Sequence, residues 1–367
     1  MKFKLMLLLL TLMLALAGCG AGATGDQTGT GAAPAATEGA ATSESGGTGG
    51  AAGGPNTITL GAYTTPREAY AQIIPLFQAK WKAETGQDIK FEESYLGSGA
   101  QSRAIVEGFD ADVAALSLEA DINRIAEAGL ITHDWKAVNN NGMVSDSVVV
   151  FAVRPGNPKG IQDWADLAKP GVEVLTPNPK TSGGAQWNIM ALYGAALRGN
   201  VEGVAKGDEA AAVNFMKQVL KNVTVMDKGA RESITNFEKG VGDVAITYEN
   251  EVLVAQKAGE KMDMVTPKSS ILIENPVALI DKSVDKHGNR AAVEAFIKFL
   301  FTPEVQKIFA DYGLRSVDPN VAKETADRYP ALQDQFTIKD FGGWSEVTPK
   351  FFGDSGIYTT AIGEVQQ

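Results

Sequence analysis

Apolar and polar positions along this chain switch repeatedly between a two-residue and a helical period. Thr57–Tyr63 alternates and predicts a first strand, and behind Thr65 as cap and Pro66 as first helical residue, Tyr70, Ile73, Ile74, Phe77 and Trp81 return on one helical face as far as about Thr85. The alternation then repeats. Ile89–Tyr95 reads as a strand, Gln101 onward as a helix that ends by Gly108, Asp112–Leu118 as a buried strand, and Ala120–Ala128 as a helix stopped by Gly129. Val148–Val153 is a long apolar strand, residues 161–167 with Trp164 a short helix, and residues 172–176 a further strand. Ala210–Lys221 predicts a helix, Val223–Met226 a strand, residues 242–248 a buried strand, Met264–Ala278 an extended return, and 291–301 with 304–312 two helices around Thr302-Pro303. Strand, short loop and helix recurring in this order predict an α/β fold of mixed sheets flanked by helices, in which ligands collect at the carboxyl ends of strands.

Several strand-to-helix junctions carry the same chemistry. The strongest is Pro177-Asn178-Pro179-Lys180-Thr181-Ser182-Gly183-Gly184-Ala185-Gln186-Trp187, where two prolines hold the chain extended, Ser182 suits an N-cap, and Met190, Ala191, Leu192 and Ala195 predict an amphipathic helix. First-turn amides converge on one point there, and the helix dipole adds positive potential, so a small anion could be held without a charged side chain. Gly97-Ser98-Gly99 repeats the device, and Gly229-Ala230-Arg231 is a third polar junction. Each is also readable as an ordinary capped turn; the recurrence favours a shared ligand. Tyr248-Glu249-Asn250-Glu251 ends a buried strand, where Tyr248 could equally cover the core and Glu249 cap a helix beginning near Val252.

Composition adds an address. Lys2 and Lys4 precede an apolar run from Leu5 to Ala17 that is short for a membrane span, and Leu16-Ala17-Gly18 leads into Cys19, the only cysteine. Residues 1–18 therefore read as a lipoprotein-type signal peptide, with cleavage before Cys19 and lipid on its sulfur; an intrachain disulfide is impossible. Residues 19–55, rich in Gly, Ala, Thr and Ser, form a flexible tether with a reach of roughly 30–36 Å. The remaining 312 residues exceed what one core usually holds, so two lobes are expected. The boundaries read as 56–150 for lobe I, 151–265 for lobe II, 266–340 for the return to lobe I, and 341–367 for a C-terminal segment. The formal charge is −11, and −13 once Lys2 and Lys4 leave with the signal, which argues against nucleic acid or anionic lipid as a partner of the body.

Taken in order, Tyr-Thr-Thr-Pro-Arg-Glu-Ala-Tyr at 63–70, Gly-Ser-Gly at 97–99, Thr-Pro-Asn-Pro-Lys-Thr-Ser-Gly-Gly-Ala-Gln-Trp-Asn at 176–188, Gly-Ala-Arg at 229–231, Tyr-Glu-Asn-Glu at 248–251 and Phe-Gly-Gly-Trp at 341–344 resemble the bacterial sulfate-binding proteins of ABC transporters. The resemblance implies a two-lobed periplasmic-binding-protein fold of type II, closing on one dehydrated sulfate held by neutral donors. It places hydroxyl and amide donors on Ser98, Ser182, Gly183, Gly184 and Ala230, with Arg67, Arg231 and Glu249 around them. Two positions depart from the family pattern: Thr64 stands where an aspartate is usual, and Tyr248 where a tryptophan is usual. A tyrosine hydroxyl both donates and accepts, so selectivity between sulfate, thiosulfate and molybdate stays open.

The implied role is a monomeric, membrane-tethered binding subunit that hands its anion to a permease, needing no cofactor, metal or catalytic residue. An exported sulfate- or phosphate-ester hydrolase and an anion-sensing lipoprotein are the alternatives. A hydrolase using Ser98 or Ser182 needs a base, and the two histidines, His133 and His287, are expected at the surface away from the glycine-serine junctions.

Overall fold

The computed structural model describes residues 53–366. The signal peptide, Cys19 and the tether up to residue 52 lie outside the described residues.

Strand β1 (Thr57–Tyr63) is buried along most of its length because it is paired on both edges, parallel to β2 (Lys90–Leu96) and to β3 (Val113–Ala115). Each of these strands runs straight into a helix: α1 (Arg67–Thr85), α2 (Ser98–Val106) and α3 (Glu119–Glu127). The predicted strand over 112–118 is thus only three residues long; Leu116–Leu118 already form the turn into α3. Helix α2 begins at Ser98, three residues before its expected start. Pro66 is the N-cap of α1, and Thr65 makes no capping bond.

The second parallel set is β5 (Val174–Pro177), β6 (Val223–Asp227) and β7 (Val244–Tyr248). Helices α4 (Gly183–Leu197), α6 (Ala230–Glu238) and α7 (Glu249–Lys257) follow them, and α5 (Glu209–Lys221) precedes β6. Helix α7 starts at Glu249, not near Val252, so Glu249 is its first residue and Tyr248 its N-cap.

Two eleven-residue strands join the sets. β4 (Met143–Val153) pairs with β9 (Ser269–Leu279) over Met143–Val148, then with β7 from Val149 to Val153, where β8 (Asp263–Val265) also lies against it. β9 in turn reaches β3 through Val277–Leu279, and at its other end β10 (Asp334–Phe336) adds in parallel. The sheet order is β2-β1-β3-β9-β4-β7-β5-β6. Neighbouring strands thus change partner in mid-course at Val148/Val149, which lets two strands serve both halves.

Beyond β9 come α8 (Asp281–His287), α9 (Arg290–Leu300), α10 (Pro303–Asp311) and α11 (Pro319–Glu324). The aromatic residues of α1, α9 and α10 build one core, with Phe77 against Phe296 at 5.1 Å and Tyr70 against Phe309 at 5.9 Å. The other large core surrounds α4. That helix is not amphipathic: from Gly183 to Ala196 every residue except Gln186 is buried. The chain after β10, with α12 (Trp344–Val347) and α13 (Ile357–Val365), covers the face that would otherwise meet water. Trp344 packs edge-on to Trp187 at 4.6 Å and Phe351 to Tyr193 at 4.8 Å. No described helix is long and apolar enough to cross a membrane.

Candidate ligand-binding site

The junctions that end the two parallel sets touch one another. Asn178 organises the turn before α4: its carbonyl accepts the amides of Thr181 and Ser182 at 3.0 and 2.9 Å, and its side-chain oxygen accepts the Lys180 amide at 2.9 Å. Ser182 is extended (φ −115°, ψ 122°), and its hydroxyl accepts from the Ala185 amide at 3.3 Å, as an N-cap should. The Gly183 and Gly184 amides then stand in the first turn, where a helix supplies no acceptor of its own. Both must be glycine for steric reasons. A Cβ at Gly183 would lie 2.7 Å from Ser117 Oγ, and one at Gly184 would lie 2.6 Å from Tyr248 Cε2.

From the other set, Ser98 begins α2 and is buried. Its hydroxyl donates to Asp121 Oδ2 at 2.6 Å and accepts from the Ser117 amide at 2.9 Å. The Ser98 proton is therefore committed to a carboxylate. Ser117 is the hub of the arrangement: its carbonyl accepts from Trp187 Nε1 at 2.9 Å and its hydroxyl lies 2.6 Å from the Tyr248 hydroxyl. Burial pushes the Tyr248 phenol well above its ordinary pKa, so it stays protonated. The Tyr248 ring also faces Tyr63, the last residue of β1, at 6.3 Å. Thr181 completes the contact, its carbonyl accepting from the Ala100 amide at 3.1 Å and its hydroxyl donating to the Lys228 carbonyl at 2.8 Å. Ala230, buried as the first residue of α6, follows directly on that last segment.

Two charged residues beside this cluster, Arg231 and Glu249, are held in ion pairs. Arg231 binds Glu251 Oε2 at 2.7 Å through Nε and grips Glu68 of α1 with both terminal nitrogens. Burial would depress its pKa, but Glu251 and Glu68 outweigh this and hold the guanidinium charged. Glu249 turns away to Arg315, which meets it at 2.8 and 3.0 Å. Burial raises the Glu249 pKa and Arg315 opposes the rise. Arg67 is exposed and lies over the Tyr95 ring at 4.7 Å, outside this network. Thr64 is half-buried and accepts the Arg67 amide through its carbonyl at 3.3 Å. Its neighbour Thr65 is the buried one, with an unpartnered hydroxyl.

The structure therefore brings together Ser98, Ser182, Gly183, Gly184 and Tyr248, with Ala230 and Arg231 on the adjoining junction. The sequence reading missed Ser117 and Thr65. Ser117 carries the same signal as the others, a hydroxyl residue between an apolar strand and a helix, but it was hidden inside a strand drawn too long. The expectation for His287 is overturned: the ring is buried, 2.7 Å from Asp112 and 3.0 Å from Asp110, because two carboxylates replace its hydration. His133 is partly exposed and bonds Asp281 at 2.7 Å.

What this arrangement can do chemically is present neutral donors at short range to a small acceptor-rich ligand. Residues 58–315 match the family model of bacterial extracellular solute-binding proteins. The chain is 48% identical to a sulfate-binding protein of Synechococcus elongatus, over 84% of this chain and 87% of that one. It is 38% identical to a thiosulfate-binding protein of Pseudomonas aeruginosa, over 84% and 93% respectively. Among solved structures, the sulfate-binding protein SubI from Mycobacterium tuberculosis superposes with a TM-score of 0.74 at 39% identity, covering 81% of this chain and 99% of that chain. In sequence and in its open mixed α/β architecture, the chain belongs to the bacterial extracellular solute-binding proteins.

Proposed function

We propose that the protein captures sulfate between its two sheet halves and delivers it to the permease of an ABC transporter. The observation that carries this reading is the meeting of the Ser182-Gly183-Gly184 helix start with Ser117 and Tyr248, in a chain 48% identical to a relative named for sulfate binding. In this reading the Ser182 hydroxyl and the amides of Gly183, Gly184, Ser98 and Ala230 donate to a dehydrated dianion. Tyr248 and Thr64 complete the shell, and Arg231 orients it through Glu68 and Glu251. Neutral, preformed donors stabilise the dianion without drawing a counter-ion into the site.

The lobes would be residues 56–150 with 266–340, and 151–265, hinged where β4 and β9 run between them, with 341–367 as a C-terminal cover. Ligand binding would favour the closed form by its differential affinity. The protein would act as a monomer, outside the cytoplasm, held to the membrane by lipid on Cys19, without catalysis. Thiosulfate is the second reading, favoured by the 38% identical relative of that name.

Titration calorimetry of the exported chain carrying Cys19→Ser, with sulfate, thiosulfate, molybdate and phosphate, tests this. Sulfate or thiosulfate should bind well below about 100 μM, and phosphate binding of comparable strength would show the Tyr248 hydroxyl accepting the proton of hydrogen phosphate. Affinities all weaker than about 100 μM, or about −5.5 kcal/mol, would remove the oxyanion reading.

A further inference from the structure

Beside the junction cluster lies a cavity of about 710 Å³, and Gly99, Asp121, Thr181 and Gln186 line it. It is far too large for one bare tetrahedral anion, and it abuts the candidate site by a single residue on each side: Gly99 follows Ser98, and Thr181 precedes Ser182. Its distinguishing feature is charge. Arg103, Arg124 and Lys180 all face it, against Asp121 and Asp354. Arg124 is tied to Asp121 at 2.6 Å, and Asp121 is further occupied by Ser98. Arg103 and Lys180 enter no ion pair among the described residues. The Arg103 guanidinium folds back over the start of its own helix, with Nη1 3.5 Å from where a Gly99 Cβ would stand, and the Thr181 carbonyl is 3.4 Å from that same point. Two free cations thus gather where α2 meets the turn before α4, on a body whose overall charge is strongly negative.

A net charge of that sign repels an anionic solute at long range, while a cleft of local positive sign concentrates it. We propose that this cavity is an antechamber for the anion: Arg103 and Lys180 hold it, still hydrated, before it passes to the neutral donors. Thr181 lines this cavity and its carbonyl accepts the Ala100 amide, the bond that joins the turn before α4 to α2, so transfer coincides with opening and closing of that contact. Cations placed here, not in the site, raise the capture rate without adding a charge that would have to be desolvated on closure. This inference rests on the oxyanion reading of the neighbouring site.

Stopped-flow measurement of sulfate association, followed through the intrinsic tryptophan fluorescence of the full exported chain with Cys19→Ser, tests it. The association rate of the parent protein should fall steeply as salt is raised. In the Arg103→Glu, Lys180→Glu double variant it should fall at least about tenfold at low salt and lose most of its salt dependence, with the dissociation rate changed less than about twofold. The Lys80→Glu, Lys82→Glu variant makes the same change in net charge on exposed residues of α1 and should keep at least half of the parent rate. Arg103→Gln, which removes charge without reversing it, should give an intermediate rate. An unchanged rate in the cavity variants with calorimetric affinity intact would overturn the antechamber alone, as would an equal loss in the α1 variant. Absence of binding of sulfate, thiosulfate and molybdate alike in the parent protein would overturn both this inference and the reading beneath it.

Discussion

In the proposed reading Ser182 has two separable tasks, helix cap and anion donor, and its environment allows them to be told apart. Its hydroxyl caps α4 through the Ala185 amide at 3.3 Å, and it stands beside the free amides of Gly183 and Gly184. Ser182→Ala should cost about 1 kcal/mol of stability through the lost cap and about 1–3 kcal/mol of anion affinity. Ser182→Gly, which caps nearly as well, should restore most of the stability and none of the affinity. Urea unfolding and calorimetry on the two variants check this, and full affinity in either would reduce Ser182 to a cap. Ser98 differs in kind. Its proton points to Asp121 at 2.6 Å, so its amide, not its hydroxyl, is the donor left for a ligand.

At the scale of elements, α4 decides how the site is held. A helix buried all round can set its first turn with little freedom, because displacing it would disturb Trp187, Tyr193 and the aromatic cover of the C-terminal chain. Gly194 marks the tightest approach: a Cβ there would lie 2.4 Å from Phe336 and 2.9 Å from Phe341. Gly194→Ala should destabilise by about 1–3 kcal/mol despite its better helix propensity, since two rings must move. Phe336→Leu in the same background should recover part of that loss, a positive coupling readable from denaturant unfolding of the four proteins in the cycle. Additive losses would mean that the helix shifts instead of the rings.

For the whole molecule, the strands that serve both halves carry an unfavourable charge pair. Asp146 on β4 stands directly opposite Glu274 on β9, and its Oδ1 is shielded and unpartnered. Burial first, and Glu274 second, push its pKa up to about 7, with Arg315 opposing. The folded state therefore keeps a proton that the unfolded chain releases near pH 4, so the contribution of Asp146 to stability falls as pH rises from about 4 to about 7 and is level above that. Asp146→Asn removes the titration. Its melting temperature should match the wild type near pH 4 and exceed it by at least about 2 °C above pH 7, as scanning calorimetry across that range would read. A difference independent of pH would mean that Asp146 is ionised throughout.

What was legible in the chain is what local physics governs. Period, capping residues and the Ser-Gly junctions are set by neighbours a few positions away, so the strand-to-helix repeats, the turn before α4 and the candidate donors at Ser98, Ser182, Gly183 and Gly184 could be read directly. Amphipathicity of α4 could not, because whether its second face is wet depends on residues 336–351 folding back over it. Ser117 gains its place only from Tyr248, 131 positions away, and His287 is buried only because Asp112, 175 positions away, accepts its proton. Glu249 looked like a site residue until Arg315 claimed it across 66 positions. Sequence determined which junctions can present donors; tertiary structure decided which of them face one another, since long-range pairing of polar groups is chosen by the sheet order and not by any local preference.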